Sequence, residues 1–298
     1  MRKNILLIAA LIFFLLFFSI IYLSVYGVKT DTFNNFINNK LKEYNSKLTL
    51  QLDDVYIKLN LSKSAISINS KNANLIAENN LIKISNIDIS LNLFKFLKNE
   101  NSIINFKIKS SKNIIKDVTS FLNILDYDLS RHIFYSQIKQ GFLYFELETH
   151  FNNINQKLDS YFISGSITEA KINLPGYGNL NEINFDFEAQ DKKINISNLK
   201  ITYDDVKLFS KSLEITEDKK GIFDFKGDIE NNKILINPNL IFRLANVEQD
   251  FLSNEKIPIQ SKNIFSFKFN RNKKIKNLKI DSVINFDELY FSNFYKNL

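Results

Sequence analysis

From residue 48 onwards, apolar and polar residues alternate along most of the chain. In VYIKLNL (55–61) every second residue from Val55 to Leu61 is apolar, and the residues between them are Tyr, Lys and Asn. The same period recurs in AISIN, NLIAEN, INFDFEAQ, IFSFKFN and SVINF, and short polar runs separate these segments. Because a strand points successive side chains to opposite faces, this period is typical of antiparallel strands with one apolar and one solvated face. The sequence therefore predicts a mainly β protein.

One short motif occurs three times within this alternating region. It reads IKISNIDIS at 82–90, INISNLKIT at 194–202 and, more loosely, IKNLKID at 275–281. All three copies contain Ile-x-Asn-(Ile/Leu)-x-Ile. The recurrence indicates that the sheet is built from repeated units.

The motif also changes the parity of the apolar series. In the first copy the series Ile82, Ile84 resumes at Ile87, and in the second it passes from Ile196 to Leu199. A slip of one residue turns every later side chain to the opposite face unless a β-bulge or a tight bend absorbs it. The sequence therefore predicts a bend at each Ser-Asn step and, with it, a curved sheet.

Composition limits the classes of function. The 298 residues are 45% hydrophobic and 24% charged, enough to bury a sizeable core in one or two domains. The absence of cysteine excludes disulfides, thiolate metal sites and a cysteine nucleophile. The net charge of +7 is spread along the chain, with lysines alternating with apolar residues as in FKIKSSK (106–112). This pattern is compatible with affinity for anionic lipid or nucleic acid, and more simply with a lysine-rich solvated face.

A long uncharged run follows Arg2 and Lys3. ILLIAALIFFLLFFSIIYLSVYGV (5–28) contains no charge, and the next charged residue is Lys29. A helix of this length would measure about 36 Å, and the hydrocarbon core of a membrane is about 30 Å thick. The alternative is a cleaved signal peptide, whose apolar region typically spans about 7–15 residues and ends in small residues. The longer run favours a cytoplasmic tip and transmembrane anchor over residues 1–28, with the rest of the chain across the membrane.

Two helical segments are predicted beyond the anchor. An amphipathic connector is expected at 29–46, where apolar residues such as Phe33 and Phe36 fall at helical spacing. Apolar residues at the same spacing predict a helical insertion at about 111–130. The remaining domain, 47–298, is predicted to be the β-sheet.

The apolar face of this sheet has few predicted helices to cover it. An exposed apolar area beyond a few hundred Å² normally marks a binding surface. For an exported protein tethered to a membrane, the matching apolar partner is a lipid acyl chain. The residues predicted to line this face are the in-phase apolar series Ile87, Ile89, Leu91, Leu199, Ile201, Leu278 and Ile280.

In layout, the chain resembles the AsmA-like superfamily, which includes TamB-type and YhdP-type proteins. The resemblance rests on the basic start with a single span, on IKISNIDISLNLFKFLKNEN (82–101), and on GSITEAKINLPGYGNLNEINFDFEAQDKKINISNLKITY (165–203). It implies an N-terminal transmembrane helix followed by an elongated, curved antiparallel β-groove, or β-taco, related to bridge-like lipid-transfer proteins.

The resemblance also implies a location and a role. Members of the superfamily are tethered to the inner membrane of diderm bacteria, with their bulk in the periplasm, and are implicated in moving phospholipid to the outer membrane. Because many members are far longer, the chain is expected either to continue beyond residue 298 or to need an envelope protein partner at the far end of the groove.

Reactive groups are sparse. His132 and His150 are the only histidines, and neither has a second histidine at ligand spacing. The acidic pairs at 53–54, 204–205 and 287–288 are typical of solvated turns. The sequence thus predicts no enzyme, no cofactor, no metal site and no nucleic-acid partner. The alternative to lipid shielding is a tethered scaffold or assembly factor for outer-membrane proteins, which would pair its sheet edges with client strands.

Overall fold

The computed structural model describes most of the chain. The described residues are 2–30, 34, 37–39, 41–42, 45–98, 100, 103–125, 132, 135–152, 154–155, 157–176, 178–203, 205–218, 221–239, 256–269 and 275–287, with side chains from Leu11 onwards except at position 125. Phe33 and Phe36 of the predicted connector, and the chain end at 288–298, lie outside them.

The helices with described bounds are α1 (Arg2–Val25), α2 (Leu93–Leu97) and α3 (Ile115–Leu125). At the start of α2 the Asn92 side chain accepts a hydrogen bond of 3.1 Å from the Lys95 backbone N–H, one of the groups that a helix start leaves unpaired. Helix α3 lies within the predicted insertion at 111–130, of which 126–130 are outside the described residues. No helix of the described residues is both long enough and apolar enough to cross a membrane.

In the described part of the chain, fifteen strands form one sheet. They are β1 (Val28–Lys29), β2 (Leu48–Gln51), β3 (Asp54–Asn60), β4 (Ala65–Ala77), β5 (Asn80–Asn92), β6 (Ile103–Ser110), β7 (Asn113–Ile114), β8 (Ile138–Phe151), β9 (Leu158–Leu174), β10 (Gly178–Gln190), β11 (Lys193–Tyr203), β12 (Val206–Glu217), β13 (Phe223–Ile236), β14 (Ile257–Phe269) and β15 (Ile275–Phe286).

The strand order follows the chain. It runs β1-β3-β4-β5-β6-β8-β9-β10-β11-β12-β13-β14-β15, with β2 beside β4 and β7 beside β8. The described registers are antiparallel, and within the described residues β15 pairs only with β14, so the sheet is open. The prediction of a mainly β chain built on an antiparallel sheet is confirmed.

Two compact units divide the chain. The first comprises Met1–Asn113, Asp117–Asp128 and Tyr144–Ile163, here called unit 1. The second comprises Ile114–Lys116, Leu129–Leu143 and Ser164–Leu298, here called unit 2. Each unit is described by itself below.

The register confirms the slip predicted in the first motif copy. Ile84 of β5 pairs with Ser110 of β6, and Asn86 pairs with Lys109, so Ser85 is an extra residue on β5. The Ser85 hydroxyl donates to the Lys109 carbonyl oxygen at 2.9 Å. A bulge of this kind bends its strand and increases the local twist.

The second and third copies slip at the asparagine of the motif. Asn198 has φ 55° and lies where β11 carries one residue more than β10. Asn277 has φ 53° and lies where β15 carries one residue more than β14. Asparagine enters this left-handed region more readily than most residues. The bend predicted at the two Ser-Asn steps therefore occurs in both copies, and the third copy slips as well.

Candidate apolar binding face

In unit 1 one face of strands β3 to β6 carries a row of apolar side chains. Ile57 pairs with Ile68, Ile68 with Ile89, and Ile89 with Phe106. Ile68 is buried, and the other three are half-buried. Side chains directly opposite each other on one face lie in contact distance, so the row forms a single apolar surface.

The first three predicted lining residues belong to this surface. Ile87 lies opposite Ser70 and is buried, whereas Ile89 and Leu91 are half-buried. Ile87 therefore forms the packed base of the surface. Ile89 and Leu91 keep part of their area accessible.

In unit 2 the predicted residues Leu199 and Ile201 lie in and beside a core cluster. Leu199 is buried together with Ile115, Ala170 and Ile183, and half-buried Ile201 packs against them. Ile115, the first residue of α3, covers that part of the face. Leu199 is accordingly enclosed by protein.

The apolar face of unit 2 is accessible at β15. Leu278 and Ile280, the last two predicted lining residues, are 56% and 57% exposed. Ile280 lies directly opposite Phe265 of β14. Next to it the rings of Phe225 and Phe267 stack, with centroids 4.7 Å apart. The predicted residues on β15 thus border an aromatic surface.

The opposite face of these strands is polar. Lys226 of β13 pairs with Ser266 of β14, which pairs with Lys279 of β15. Ile264, opposite Asp281, is 54% exposed on this polar face. This face therefore combines charged side chains with exposed apolar ones, among them Val283, which lies opposite Lys262 and is 63% exposed.

The polar face of unit 1 carries ion pairs between neighbouring strands. Lys109 and Lys107 of β6 form ion pairs with Glu146 (2.7 Å) and Glu148 (3.3 Å) of β8. The Tyr144 hydroxyl also donates to Glu146. The hydrogen bond from Lys109, followed by that from Tyr144, lowers the pKa of the Glu146 carboxyl. The same contact with Glu146 raises the pKa of the Lys109 ammonium, and partial burial raises the pKa of the Tyr144 hydroxyl.

Histidine and carboxylate side chains do not form a metal-binding cluster in the described part of the chain. His150 lies 3.5 Å from Glu148, and no group of three or more His, Asp or Glu among the described residues could hold a metal ion. Of the acidic pairs, Asp54 forms an ion pair with Lys29, and Asp287 forms one with a lysine of β13. These carboxylates have structural partners.

Sequence reasoning missed the aromatic surface of unit 2. Phe225, Phe265 and Phe267 share one face of β13 and β14. Their signal was present as alternating phenylalanines in FDFKG (223–227) and FSFKF (265–269). The predicted lining residues all lie in or directly beside copies of the repeated motif, which these two strands do not contain.

Two serines on the apolar faces were also missed. Ser70 lies opposite Ile87, and Ser210 lies opposite Leu199. Each serine is 3% exposed, and neither hydroxyl has a hydrogen-bond partner among the described residues. Both therefore place an unsatisfied polar atom beneath an apolar surface.

The candidate site is thus a pair of apolar surfaces, one described in each unit. Their most accessible part is the row on β15, and their most packed parts surround Ile87 and Leu199. Comparison with family models, with curated proteins and with solved structures gives no match to this chain. The function is accordingly inferred from the chemistry of the surfaces themselves.

Proposed function

We propose that the chain is a membrane-tethered, lipid-shielding protein of the AsmA-like type, whose apolar sheet faces form an elongated, curved groove for acyl chains. In this proposal α1 anchors the protein in the inner membrane with its N-terminus in the cytoplasm. The sheet lies in the periplasm, where it supports phospholipid transport between the inner and outer membranes and the integrity of the envelope. Binding is passive, with no catalysis and no cofactor.

The accessible apolar row on β15 carries the proposal. Ile275, Leu278 and Ile280 are each more than half exposed, and Ile280 adjoins the aromatic surface through Phe265. Leaving a large apolar side chain in water instead of burying it costs about 1.5–3 kcal/mol. An acyl chain laid along this row would remove roughly half of that cost for each of these residues, and each of its own CH₂ groups would contribute about 0.8 kcal/mol.

The predicted lining residues then divide into two roles. The half-buried residues Ile89, Leu91 and Ile201 contact the acyl chain with the area they still expose. The buried residues Ile87 and Leu199 support the surface from beneath. A groove with this division stays folded when empty, because its base is packed by protein.

Helix α1 supports the tethering part of the proposal. Its side chains from Leu11 to Phe18 are all exposed and apolar. The rings of Tyr22 and Tyr26 lie 5.4 Å apart near its end, as suits the membrane–water interface. An exposed helix surface of this kind needs an apolar environment.

The scaffold alternative has weaker support. It requires a sheet edge that accepts a client strand. The edge strand β15 carries Lys276, Lys279 and Asp281, and charges on an edge strand oppose strand addition. Lipid shielding is therefore the function that the described surfaces favour.

The test uses two substitutions on neighbouring strands. Ile280→Asp places a charge on the apolar face, and Ile264→Asp places the same charge on the polar face at nearly equal exposure. Cells expressing the full chain are supplied with a photoactivatable fatty acid, and lipid adducts on the purified protein are counted by mass spectrometry. Circular dichroism and thermal unfolding establish that each variant is folded.

We expect Ile280→Asp to lower lipid adducts severalfold and Ile264→Asp to leave them at the wild-type level. The reason is that only the first charge would have to be buried against an acyl chain. Equal adduct yields from wild type and a folded Ile280→Asp variant would contradict the proposal.

A further inference from the structure

Strands β12 and β13 part at one end of unit 2. The last described pair between them is Phe209–Glu230. Strand β12 begins earlier, at Val206, and β13 continues to Ile236, which remains paired with Ile257 of β14. The first residues of β12 and the last residues of β13 therefore flank an opening within the sheet.

A buried amide fixes the course of β13 beside this opening. The Asn231 Nδ2 group donates to the carbonyl oxygens of Asn232 (2.7 Å) and Ile259 (3.1 Å), and its Oδ1 accepts from the Ser261 N–H at 3.1 Å. The register of β13 with β14 shifts between Asn231 and Ile234. The opening thus begins at a bulge that the Asn231 side chain stabilises with these hydrogen bonds.

The opening forms a cavity of about 510 Å³. Small-molecule sites usually measure about 300–1,000 Å³. The floor is apolar, because Val206 and Ile236 are buried and pack with Leu208 and Ile259. The rim is polar and includes Asn179, Asn181, Asp205, Asn237, Asn239 and Lys256.

The rim of the cavity carries one carboxylate and one ammonium group. Asp205 and Lys256 are both exposed, and neither forms an ion pair with another described residue. The four asparagines add neutral donors and acceptors. We propose that this cavity binds a headgroup that carries both a phosphate and an ammonium group, as phosphoethanolamine does. This assignment rests on the proposed lipid function and adds headgroup selection to it.

Each part of such a headgroup has a partner. The Lys256 ammonium and the asparagine N–H groups can donate to phosphate oxygens, and the Asp205 carboxylate can accept from the ligand ammonium. A phosphate headgroup without an amine would bring a second negative charge beside Asp205, which selects against it.

The test compares two lipids on the full chain. The protein is equilibrated with vesicles of equal parts phosphatidylethanolamine and phosphatidylglycerol, recovered, and its bound lipids are quantified by mass spectrometry. Asp205→Asn removes the carboxylate and keeps the turn, because asparagine tolerates the φ of 68° found there. Lys256→Gln removes the cation, and Asp281→Asn and Lys268→Gln are controls at exposed charges outside the cavity.

We expect wild type to enrich phosphatidylethanolamine about tenfold, the effect of one charge-assisted hydrogen bond. Asp205→Asn should return the two lipids to nearly the supplied ratio. Lys256→Gln should lower the recovery of both lipids, and the two controls should behave as wild type.

A second arm separates the cavity from the acyl chains. Soluble glycerophosphoethanolamine is titrated against the full chain by ligand-observed NMR, with saturation expected for wild type and not for Asp205→Asn. If bound lipids keep the supplied ratio and the soluble compound does not bind, headgroup selection is overturned while lipid shielding stands. If no lipid is recovered but the soluble compound binds through Asp205, lipid shielding fails and the cavity is a site for a free phosphoryl-amine compound.

Discussion

Asn198 and Asn277 share a left-handed backbone conformation, with φ of 55° and 53°, at the same position of the repeated motif. Each lies where its strand carries one residue more than the strand before it. This conformation costs an ordinary L-residue about 1–2 kcal/mol, and asparagine adopts it more readily. The asparagine of these two copies therefore has a backbone role.

The first prediction concerns Asn198. Asn198→Val should lower the free energy of unfolding by about 2 kcal/mol, because a β-branched residue is strained at positive φ. The variant also loses the 2.8 Å hydrogen bond from the Asn198 Nδ2 group to Asp186 Oδ2. Asn198→Gly should stay within about 0.5 kcal/mol of wild type. Urea titrations followed by circular dichroism in detergent measure the difference.

Asn195→Val is the matched control on the same strand. Asn195 is exposed and pairs regularly with Glu188 and Glu214. Valine suits an extended strand position, so the change should stay within about 0.5 kcal/mol. Similar losses for both valine variants would argue against a backbone role for Asn198.

The alternation and the motif predicted much of the fold. VYIKLNL lies almost wholly in β3, and the parity slip located the bulge at Ser85. The partner strand β4 bends at the same level with Asn72 at φ 56°, although the motif is absent there. Strand register depends on contacts between strands, and a single strand's sequence does not contain them.

Such a contact between strands is made at Gly141 of β8, the subject of the second prediction. A Cβ there would lie 2.7 Å from the Ala170 Cα atom of β9 and 2.9 Å from Ile115 Cδ1 of α3, and φ is 129°. Gly141→Ala combines this overlap with backbone strain. We expect a loss of about 3 kcal/mol in the free energy of unfolding, measured by urea titration.

Gly176→Ala separates the two causes. Gly176 has φ 84°, and a Cβ there meets no heavy atom within 4 Å. Only strain remains, so the loss should be about 1 kcal/mol. If Gly141→Ala costs no more than Gly176→Ala, the close approach of β9 does not determine the effect.

The accessible part of the candidate site could be predicted only in outline. Ile87, Leu199 and Ile280 look alike in sequence, since all are in phase after a motif slip. The structure buries the first two and leaves Ile280 exposed. The difference arises because Ile115 covers Leu199 and because β15 has a described partner on one side only. Neither cause is local in sequence.

The third prediction tests the unsatisfied hydroxyl beneath the apolar face of unit 2. Ser210→Ala should raise the free energy of unfolding by about 1 kcal/mol, because it removes a buried group that lacks a hydrogen-bond partner among the described residues. Ser212→Ala, at an exposed position of the same strand, should change it by less than about 0.5 kcal/mol. A loss of stability in Ser210→Ala would mean that the hydroxyl is satisfied by water.

The fourth prediction follows from the ion pair between Lys109 and Glu146. The pKa of Glu146 lies below its ordinary value of 4.5, chiefly because of the hydrogen bond from Lys109. Its contribution to stability is therefore complete above pH 4.5 and is lost as the pH falls through the lowered value. The same contact raises the pKa of Lys109 above its ordinary value of 10.5. The contribution of the Lys109 ammonium to stability is therefore complete below pH 10.5 and is lost as the pH rises through the raised value.

Glu146→Gln should therefore destabilise the protein near neutral pH, and the deficit relative to wild type should shrink as the solution becomes acidic. Thermal unfolding measured by circular dichroism between about pH 7 and pH 3 follows the deficit across the range in which a carboxyl titrates. Glu188→Gln, at an exposed position of β10, is the control for the loss of one negative charge. A Glu146→Gln deficit that stays constant over this range would show that the Lys109 contact does not stabilise the ionised carboxylate.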